Sequence, residues 1–297
     1  MIANLTDKNI LVLGSSGLLG NSACLIFEKK NANVFAISRD KNTSIGTSVK
    51  HILVDNYDEN EISFIIAEND IDLVLNCVGL TNVEECEKNS ELAFEINSEL
   101  PSKIAHVCAR HKKRFVHIST DHFAHTNCAF LSEDEKDLRL LNVYAQSKRQ
   151  GEIQIMERDP SALVVRTNFF GKSYSKKKSF SDFIISNLQD EKPVNLFTDV
   201  WHTPIDMLTL IDAISHIYQS YDGIINICSD RAITKYEFGL LLASELNLDS
   251  KLISPTCRSS RTDLVVRPNN MSLCSKKLKK ILPSLDLTIE TSVKRIF

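Results

Sequence analysis

Tyr144 and Lys148, in the run YAQSK, are the residues whose types and spacing most directly suggest chemistry. Residues four apart lie about one helical turn from each other, so both side chains share one face of a helix. An ammonium group beside a phenol lowers the pKa of the phenol, which suits proton transfer near neutral pH. A tyrosine and a lysine at this spacing also occur by chance, so the pair needs support from elsewhere in the chain.

A pair of hydroxyl groups after an apolar run supplies that support. The run STDHFAHTN at 119–127 follows the apolar run FVHI and opens with Ser119 and Thr120. Thr120, or Ser119 beside it, is placed to hydrogen-bond a substrate oxygen that Tyr144 protonates. The sequence therefore predicts Thr120, Tyr144 and Lys148 as three catalytic residues.

Two histidines in the same run, His122 and His125, raise the alternative of a metal site. They follow a strand pattern, and no cysteine pair or acidic residue at ligand spacing completes a set of four ligands. The chain has eight cysteines, without a CxxC pair, and several lie within apolar runs. This usage is typical of buried, reduced thiols, so we expect no metal and a cytoplasmic protein.

The N-terminal run NILVLGSSGLLG places three glycines between a strand pattern and a helix pattern. Glycine lets the chain turn tightly from strand to helix and lets the backbone approach a pyrophosphate closely. The N-terminus of the following helix offers unpaired N–H groups to the phosphates. This context predicts dinucleotide binding rather than an ordinary turn. The residues of the predicted phosphate loop are Gly14, Ser16, Gly17, Leu18, Leu19 and Gly20.

The end of the second strand pattern, in the run AISRDKN, carries the residues predicted to contact the adenosine ribose. An acidic residue there accepts hydrogen bonds from the 2′-hydroxyl of NAD, whereas an arginine suits the 2′-phosphate of NADP. Arg39 can pair with a phosphate through its planar guanidinium. The sequence therefore favours NADP(H). NAD(H) is the alternative, in which Asp40 contacts the ribose and Arg39 is a surface charge.

Short apolar runs alternate with helix-length segments through the first two-thirds of the chain. The runs are mostly continuous, as in strands that are covered on both faces. This order predicts an α/β fold with a doubly wound parallel sheet, a Rossmann fold, with right-handed crossovers. The predicted strands are 9–14, 33–38, 51–55, 71–79, 115–120, 162–169 and 223–229. The predicted helices are 18–30, 58–69, 90–111, 143–157, 180–189, 205–219 and 234–247.

The alternation breaks after residue 170, at the polar loop GKSYSKKKS. We therefore predict a dinucleotide-binding domain at 1–170 and a smaller C-terminal substrate-binding region at 171–297, which forms one wall of a cleft. The strand at 223–229 is expected to return to the sheet of the first domain. The helix at 234–247 is predicted to be the last one, followed by a polar segment.

Composition narrows the class of protein. The chain has 297 residues, 43% of them apolar and 25% charged, which is enough for a sizeable core in a globular protein. Its net charge of −3 gives no general attraction to nucleic acid or to a membrane surface. It contains no apolar stretch of about eighteen residues, the length needed for a membrane span. We expect neither a nucleic-acid partner nor a membrane.

The motifs, taken in order, resemble those of the extended short-chain dehydrogenase/reductase superfamily, and most of all its dTDP-4-dehydrorhamnose reductase branch. The resemblance covers nearly the full length of the chain. The runs that carry it are GSSGLLG, NCVGLTNVEECEKN, AFEINSELPSKIA, HISTDHF, NVYAQSKRQGE, VVRTNFFG and RPNN. It implies an NAD(P)H-dependent reductase that converts a nucleotide-linked 4-keto-deoxysugar to the 4-hydroxy sugar.

The resemblance also implies roles for individual residues. It implies that Thr120, Tyr144 and Lys148 are catalytic, and that Tyr144 and Lys148 also contact the cofactor. The segment implied to run along the cofactor is Cys77, Val78 and Gly79. The pair implied on its adenine side is Asp55 and Asn56. The residues implied beside the substrate are Asp121, His122, Asn168 and Arg267.

The chain departs from that branch beside the sugar pocket. HFAHTN replaces the usual continuation after STD, and Phe169 stands where the reductases usually have tryptophan. Two alternatives to a reductase stay open: a nucleotide-sugar epimerase, and a non-catalytic, cofactor-binding regulatory subunit such as the one that serves methionine adenosyltransferase. The intact threonine, tyrosine and lysine favour the reductase. The resemblance further implies a homodimer.

Overall fold

The structure is a computed structural model that describes residues 5–39, 46–124, 130–261 and 263–296. Its strands are β1 Asn9–Leu13, β2 Asn33–Ser38, β3 Lys50–Leu53, β4 Leu73–Asn76, β5 Arg114–Ile118, β6 Leu163–Arg166, β7 Phe169–Phe170, β8 Val194–Phe197, β9 Trp201–His202, β10 Ile205–Asp206, β11 Gly223–Asn226, β12 Ile233–Thr234 and β13 Ile253–Thr256. Its α-helices are α1 Leu18–Lys29, α2 Glu59–Glu68, α3 Val83–Lys88, α4 Ser90–Phe94, α5 Leu100–His111, α6 Val143–Arg158, α7 Phe180–Gln189, α8 Met207–Ile217, α9 Lys235–Glu245, α10 Lys276–Ile281 and α11 Ile289–Ile296. The shorter helical segments are a π-helical turn, Glu95–Glu99, and two 3-10 helices, Ser250–Leu252 and Arg258–Ser260.

Seven strands form one sheet in the order β11-β6-β5-β4-β1-β2-β3, and every neighbouring pair in it is parallel. This arrangement confirms the predicted doubly wound α/β fold. The strand order changes direction at β1, which lies between β2 and β4. In open α/β sheets such a change leaves a crevice at the carboxyl ends of the two strands, where ligands bind.

The two faces of the sheet are covered by separate apolar clusters. In β1, Ile10 and Val12 belong to the cluster that includes residues of α1 and α8. Leu11 and Leu13 belong to the cluster that includes residues of α2 and α5. Successive side chains of a strand point to opposite faces, so a strand covered on both faces needs an uninterrupted apolar run.

The C-terminal region adds a smaller body to this sheet. β11 lies beyond residue 170, yet it pairs with β6 at the edge of the main sheet. Elsewhere in the region, β8 pairs with β13, and α7, α9 and α11 pack with them around a third apolar cluster. The division of the chain at residue 170 stays a prediction.

The C-terminal region holds more regular structure than its sequence predicts. The expectation that 234–247 is the last helix is wrong, because α10 and α11 follow it. α11 is short, but it buries Ile289 and Val293 and exposes Lys294 and Arg295. β8 and β13 are strands of four residues, and Pro255 lies within β13. Patterns this short, with a proline among them, do not distinguish a strand from a loop.

The predicted helix at 90–111 is divided by the π-helical turn. The wider turn carries Asn97, whose side chain accepts a hydrogen bond from the Leu80 N–H at 2.9 Å and donates to the Leu80 carbonyl oxygen at 3.0 Å. The Asn97 amide also donates to Ser147 Oγ on α6, at 3.1 Å. A Cβ at Gly151 would lie 2.2 Å from the Asn97 carbonyl oxygen, so α6 packs closely on this turn. The turn therefore ties α6 to the loop that follows β4.

No helix in the described part of the chain combines the length and the apolar character needed to cross a bilayer. Within residues 5–39, 46–124, 130–261 and 263–296, no three His, Cys, Asp or Glu side chains gather where they could hold a metal ion. His125 lies outside these residues. The cysteines that the structure describes are all free thiols.

Candidate active site

A cleft of about 600 Å³ opens between the carboxyl ends of the central strands and the C-terminal region. This volume is typical of sites for small molecules. The predicted site residues that line the cleft are Leu19, Cys77, Val78, Gly79, Thr120, Asp121, His122, Tyr144, Lys148, Asn168 and Arg267. The structure thus brings residues from the N-terminal two-thirds of the chain and from the C-terminal region around one cavity.

α6 carries two of the three predicted catalytic residues. The helix begins after Asn142, whose side chain accepts a hydrogen bond from the Ala145 N–H at 2.9 Å. Tyr144 and Lys148 lie in its first turns, are 8% and 3% exposed, and both line the cleft. Lys148 Nζ donates to the Ile118 carbonyl oxygen at the end of β5, at 2.8 Å. This bond holds the lysine against the strand that leads into Thr120.

The structure distinguishes the two hydroxyl groups that the sequence left as alternatives. Ser119 Oγ donates to Glu152 Oε1 at 2.6 Å, away from Tyr144. Thr120, by contrast, hydrogen-bonds the Tyr144 side chain, and its Oγ1 accepts a hydrogen bond from the His122 N–H at 3.1 Å. Thr120 is therefore the hydroxyl that lies beside Tyr144, and Ser119 belongs to the network around Glu152.

The ionisation of Tyr144 differs from what its spacing to Lys148 suggests. Burial raises the pKa of the Tyr144 phenol above its ordinary value, the hydrogen bond with Thr120 acts in the opposite direction, and Asp121 adds to the increase. Lys148 is not among the groups that shift this pKa, so the expected lowering by the ammonium is wrong for this structure. The phenol stays protonated at neutral pH, which is the form that can donate a proton.

The pKa of Lys148 is shifted in the opposite direction, below its ordinary value. Burial lowers the pKa of Lys148 to about 8, and the negative charge of Glu152 partly offsets this effect. Glu152 lies one turn further along α6 and is itself held by Arg166, whose Nε and Nη2 donate to its two oxygens at 2.8 and 2.7 Å. The lysine therefore changes its charge close to physiological pH.

The glycine loop has the geometry of a phosphate site. Gly14 has a φ of +76°, and a Cβ there would lie 3.1 Å from the backbone of Cys77 and Val78. A Cβ at Gly20 would lie 2.3 Å from the Gly14 carbonyl oxygen. Gly17 precedes α1, whose N-terminus has neither a side-chain cap nor an acidic residue in its first turn. Its free N–H groups and positive dipole end fit the phosphates of a dinucleotide.

The other predicted cofactor residues lie around this loop, outside the cleft. Ser16 and Leu18 are half-buried, whereas Arg39, Asp55 and Asn56 are exposed. The exposed three follow β2 and β3, which are adjacent strands on the same side of β1. They lie beyond the strand ends where the adenosine of a dinucleotide would extend, and their contacts stay predictions. Asp40 lies outside the described residues.

In the cleft, the buried Asp121 pairs with the half-buried Asn168. Asn168 Nδ2 donates to Asp121 Oδ2 at 2.8 Å. Burial raises the pKa of Asp121 to about 6, although the positive charge of Lys235 and the hydrogen bond from Asn168 both lower it. A carboxyl group with this pKa exchanges its proton near neutral pH and can either donate or accept a hydrogen bond.

His122, in the run HFAHTN, lies against Tyr144, the predicted proton donor. Its ring packs edge-on to the Tyr144 ring, with centroids 5.4 Å apart. Burial lowers the pKa of His122 to about 4, with the charges of Arg267 and Lys235 acting in the same direction. The ring is therefore neutral at pH 7, and its buried Nε2 has no hydrogen-bond partner among the described residues. A neutral imidazole therefore lies beside the phenol of Tyr144.

Lys235 is a cleft residue that the sequence did not predict. It is the first residue of α9, and its Nζ lies 4.8 Å from the centroid of the Phe180 ring. Burial lowers the pKa of Lys235 to about 8, while Asp121 across the cleft raises it. Nothing in the run ITKYEF marks this lysine, because it reaches the cleft only through the tertiary fold of the C-terminal region. Its charge is available to an anionic substrate.

Two arginines complete the basic wall of the cleft. Arg267 Nη2 contacts both carboxylate oxygens of Glu84, at 2.5 and 2.6 Å, which ties the C-terminal region to α3. Arg258, another residue that the sequence did not predict, donates from Nη2 to the Val265 carbonyl oxygen at 3.0 Å. The Nε atoms of both arginines are buried without a partner among the described residues. Both guanidinium groups therefore keep N–H groups that could donate hydrogen bonds to a phosphate.

Comparison with known proteins shows the family of the chain. The family model described as the RmlD substrate binding domain matches residues 8–297. The chain belongs to the RmlD substrate binding domain family. This membership confirms the predicted family and the predicted class of reductase.

Three curated relatives of this RmlD-family chain carry different names. A probable low-salt glycan biosynthesis reductase from Haloferax volcanii is 27% identical over 272 residues, which cover 88% of each chain. The methionine adenosyltransferase 2 subunit beta of Bos taurus is 22% identical over 289 residues, covering 94% of this chain and 84% of that one. A dTDP-4-dehydrorhamnose reductase from Mycolicibacterium smegmatis is 27% identical over 161 residues, covering 54% of this chain and 45% of that one.

Among solved structures, the fold is similar to that of a dTDP-4-dehydrorhamnose reductase from Bacillus anthracis in complex with NADP. The TM-score is 0.82 at 18% sequence identity, and the superposition covers 98% of this chain and 99% of the other. At this level of identity the similarity shows a shared fold. It extends over the C-terminal region as well as over the sheet.

Proposed function

We propose that the protein is an NADP(H)-dependent reductase that converts the keto group of a nucleotide-linked 4-keto-deoxysugar to a hydroxyl group. The observation that carries the proposal is the meeting of Thr120, Tyr144 and Lys148 in one cleft beside the glycine loop. Family membership and the reductases among the relatives support it. NAD(H) is the second cofactor that the same loop would accept.

The reaction needs a hydride and a proton. When bound, the reduced nicotinamide supplies the hydride to the sugar carbonyl carbon. Tyr144, which burial keeps as the phenol, donates its proton to the carbonyl oxygen. Thr120 donates a hydrogen bond to the same oxygen and polarises the carbonyl. The ammonium group of Lys148 would hold the ribose of the cofactor.

The cofactor would lie along the carboxyl ends of the strands. Its pyrophosphate would be held by Gly14, Gly17 and Gly20 and by the N-terminus of α1, where the backbone leaves room and N–H groups are free. The residues proposed to contact the nicotinamide half are Leu19, Cys77, Val78 and Gly79. The residues proposed to contact the adenosine half are Ser16, Leu18, Arg39, Asp55 and Asn56.

The substrate would lie across the cleft from the cofactor. Asp121, His122 and Asn168 are proposed to contact the sugar, because they surround Tyr144 and Thr120. Arg267 and Lys235 are proposed to contact the diphosphate, because their positive charges line the wall contributed by the C-terminal region. The size of the cleft suits a nucleotide-linked sugar.

A cofactor-binding regulatory subunit is the second candidate function. It is supported by the match to methionine adenosyltransferase 2 subunit beta, which covers most of both chains. The two proposals differ in turnover, and the intact Thr120, Tyr144 and Lys148 favour the reductase. We further propose a homodimer in the cytoplasm. The free thiols of the described cysteines are in keeping with a reducing compartment.

The proposed function is tested by mixing the purified protein with NADPH or NADH and a panel of nucleotide-linked 4-keto sugars. Loss of the reduced cofactor is followed by absorbance, and the sugar product is identified by mass spectrometry. We expect oxidation with at least one 4-keto-deoxysugar and a lower KM for NADPH than for NADH. Cofactor binding without turnover on any sugar would favour the regulatory subunit.

A further inference from the structure

Behind Lys148, the ends of β4 and β5 hold a buried hydrogen-bond chain that the proposed reaction does not use. Asn76 and His117 occupy paired positions in the parallel register, so their side chains point to the same face of the sheet. Both side chains are fully buried. Asn76 Nδ2 lies 3.0 Å from His117 Nδ1, and His117 Nε2 lies 3.1 Å from Lys148 Nζ.

The direction of this chain is set by a backbone group. The Val78 N–H donates to Asn76 Oδ1 at 2.9 Å. A backbone N–H can only donate, so the amide oxygen of Asn76 faces Val78 and its nitrogen faces His117. An amide nitrogen also only donates, so His117 Nδ1 must be the acceptor and carries no proton. A neutral His117 therefore carries its proton on Nε2, which is the nitrogen beside Lys148.

The proton on Nε2 has a consequence for Lys148. An ammonium group presents only hydrogen atoms, whereas a neutral amine has a lone pair that can accept a hydrogen bond. We propose that His117 is a positioning residue that presents its Nε2–H to Lys148 and favours the amine form of that lysine over the ammonium form. Burial, and next the charge of Lys148, hold the pKa of His117 well below its ordinary value, in keeping with a neutral ring.

Other titratable groups also face Lys148. Glu152 on α6 acts against His117, because its negative charge favours the ammonium form. Burial raises the pKa of Cys77, after β4, to about 12 and that of Cys86, on α3, to about 11, so both thiols are neutral where Lys148 changes its charge. Burial and the His117 donor oppose Glu152. If the chain is the reductase proposed above, His117 helps to set the pH at which Lys148 loses its charge. A lysine that gives up its proton readily can restore the phenol of Tyr144 after each turnover.

The tautomer of His117 is measured directly on the full-length wild-type protein. Histidine labelled with ¹⁵N is incorporated, and long-range ¹H–¹⁵N correlation spectra are recorded from pH 5 to pH 8. The His117 signal is assigned by its loss in the His117→Phe variant. We expect a neutral ring protonated on Nε2 throughout this range. A ring protonated on Nδ1, or an imidazolium near pH 6, would overturn the proposal.

The effect on Lys148 is measured by the pH dependence of kcat. Phenylalanine at position 117 keeps the burial of Lys148 and removes the Nε2–H donor. We expect the basic limb of the profile, near pH 8 in the wild type, to move upward in His117→Phe by about one pH unit, the size of one lost hydrogen bond. His111→Phe, at the end of α5, is the matched control and should leave the limb in place.

The outcomes separate this proposal from the proposed function. An unshifted limb in a folded His117→Phe protein overturns the influence on Lys148. If His117→Phe does not fold, the wild-type tautomer measurement decides the proposal alone. Absence of turnover with every keto sugar overturns the reductase function, but the tautomer of His117 is still read from the spectra.

Discussion

Replacing Glu152 by glutamine is expected to destabilise the protein strongly, because it removes the carboxylate that is hydrogen-bonded to the buried guanidinium of Arg166 and leaves only the weaker influence of Glu133. Both side chains are excluded from solvent, with exposures of 0% and 1%. Glu152 accepts two hydrogen bonds from Arg166, one from Ser119 and one from the half-buried Arg149. The network joins α6, which carries Tyr144, to β6 and to the residue before Thr120.

The size of the effect follows from this burial. Removing one partner of a buried ion pair costs about 3–5 kcal/mol, because the other charge remains without compensation. Glutamine keeps one oxygen to accept a hydrogen bond but supplies no charge. Burial raises the pKa of Glu152, yet Arg166 and the hydrogen bonds lower it below its ordinary value. The pair therefore stabilises the fold above the ordinary carboxyl pKa, and this stability is lost as the pH falls through the folded-state pKa.

Urea unfolding at pH 7 measures this loss as the difference in free energy of unfolding between the variant and the wild type. The double variant Glu152→Leu/Arg166→Met removes both charges and is expected to be much less destabilised than Glu152→Gln. Arg149→Ala removes only the partly exposed partner and should cost about 1 kcal/mol or less. A loss below about 1 kcal/mol in Glu152→Gln would refute the reasoning, since it would mean that Arg166 is not buried as an ion.

Three further outcomes follow from the site. Lys235→Met is expected to raise KM for the nucleotide sugar about tenfold, the effect of one lost charge-assisted hydrogen bond, with a small change in kcat. The control Lys251→Met, at an exposed lysine, should leave KM unchanged. An unchanged KM in both variants would show that Lys235 does not contact the substrate. Burial raises the pKa of Asp121 from 3.8 to about 6, so the folded chain binds this proton more tightly and loses stability as the pH rises between those values. Asp121→Asn should therefore raise the free energy of unfolding by about 1–3 kcal/mol above pH 6 and change it little at pH 4, whereas equal gains at both would contradict the assignment. Arg39→Ala is expected to raise KM for NADPH about tenfold and to leave KM for NADH nearly unchanged. Arg110→Ala, on α5, is the control and should leave both values unchanged. Equal effects of Arg39→Ala on the two cofactors would count against a contact with the 2′-phosphate.

The main sheet could be predicted because residues adjacent in the chain mark each of its strands and helices. Most of its strands are short, largely apolar runs between helix-length segments, so the order of elements alone implies a parallel sheet. The glycine loop could be predicted for a similar reason, since the strand, the turn and the helix are adjacent in the chain. The smaller C-terminal body could not, because β8 and β13 are four residues long and lie far apart in sequence.

In the candidate site too, residues within local motifs could be predicted, and residues brought in by tertiary contacts could not. Tyr144, Lys148 and Thr120 follow from short motifs at strand ends and on one helical turn, and the structure places all three in the cleft. Lys235 and Arg258 belong to no motif and reach the cleft only through contacts made by the folded C-terminal region. The raised pKa of Tyr144 depends on burial, which spacing along a helix does not describe.

The most direct test of the central claim is turnover by Tyr144→Phe with NADPH and the accepted keto sugar. Loss of the phenol should reduce kcat by about a hundredfold or more while the Kd for NADPH changes little, because the proton donor is removed and the phosphate loop is untouched. Tyr174→Phe, the same change at an exposed tyrosine outside the cleft, should behave as the wild type. Near wild-type turnover by Tyr144→Phe would contradict the account.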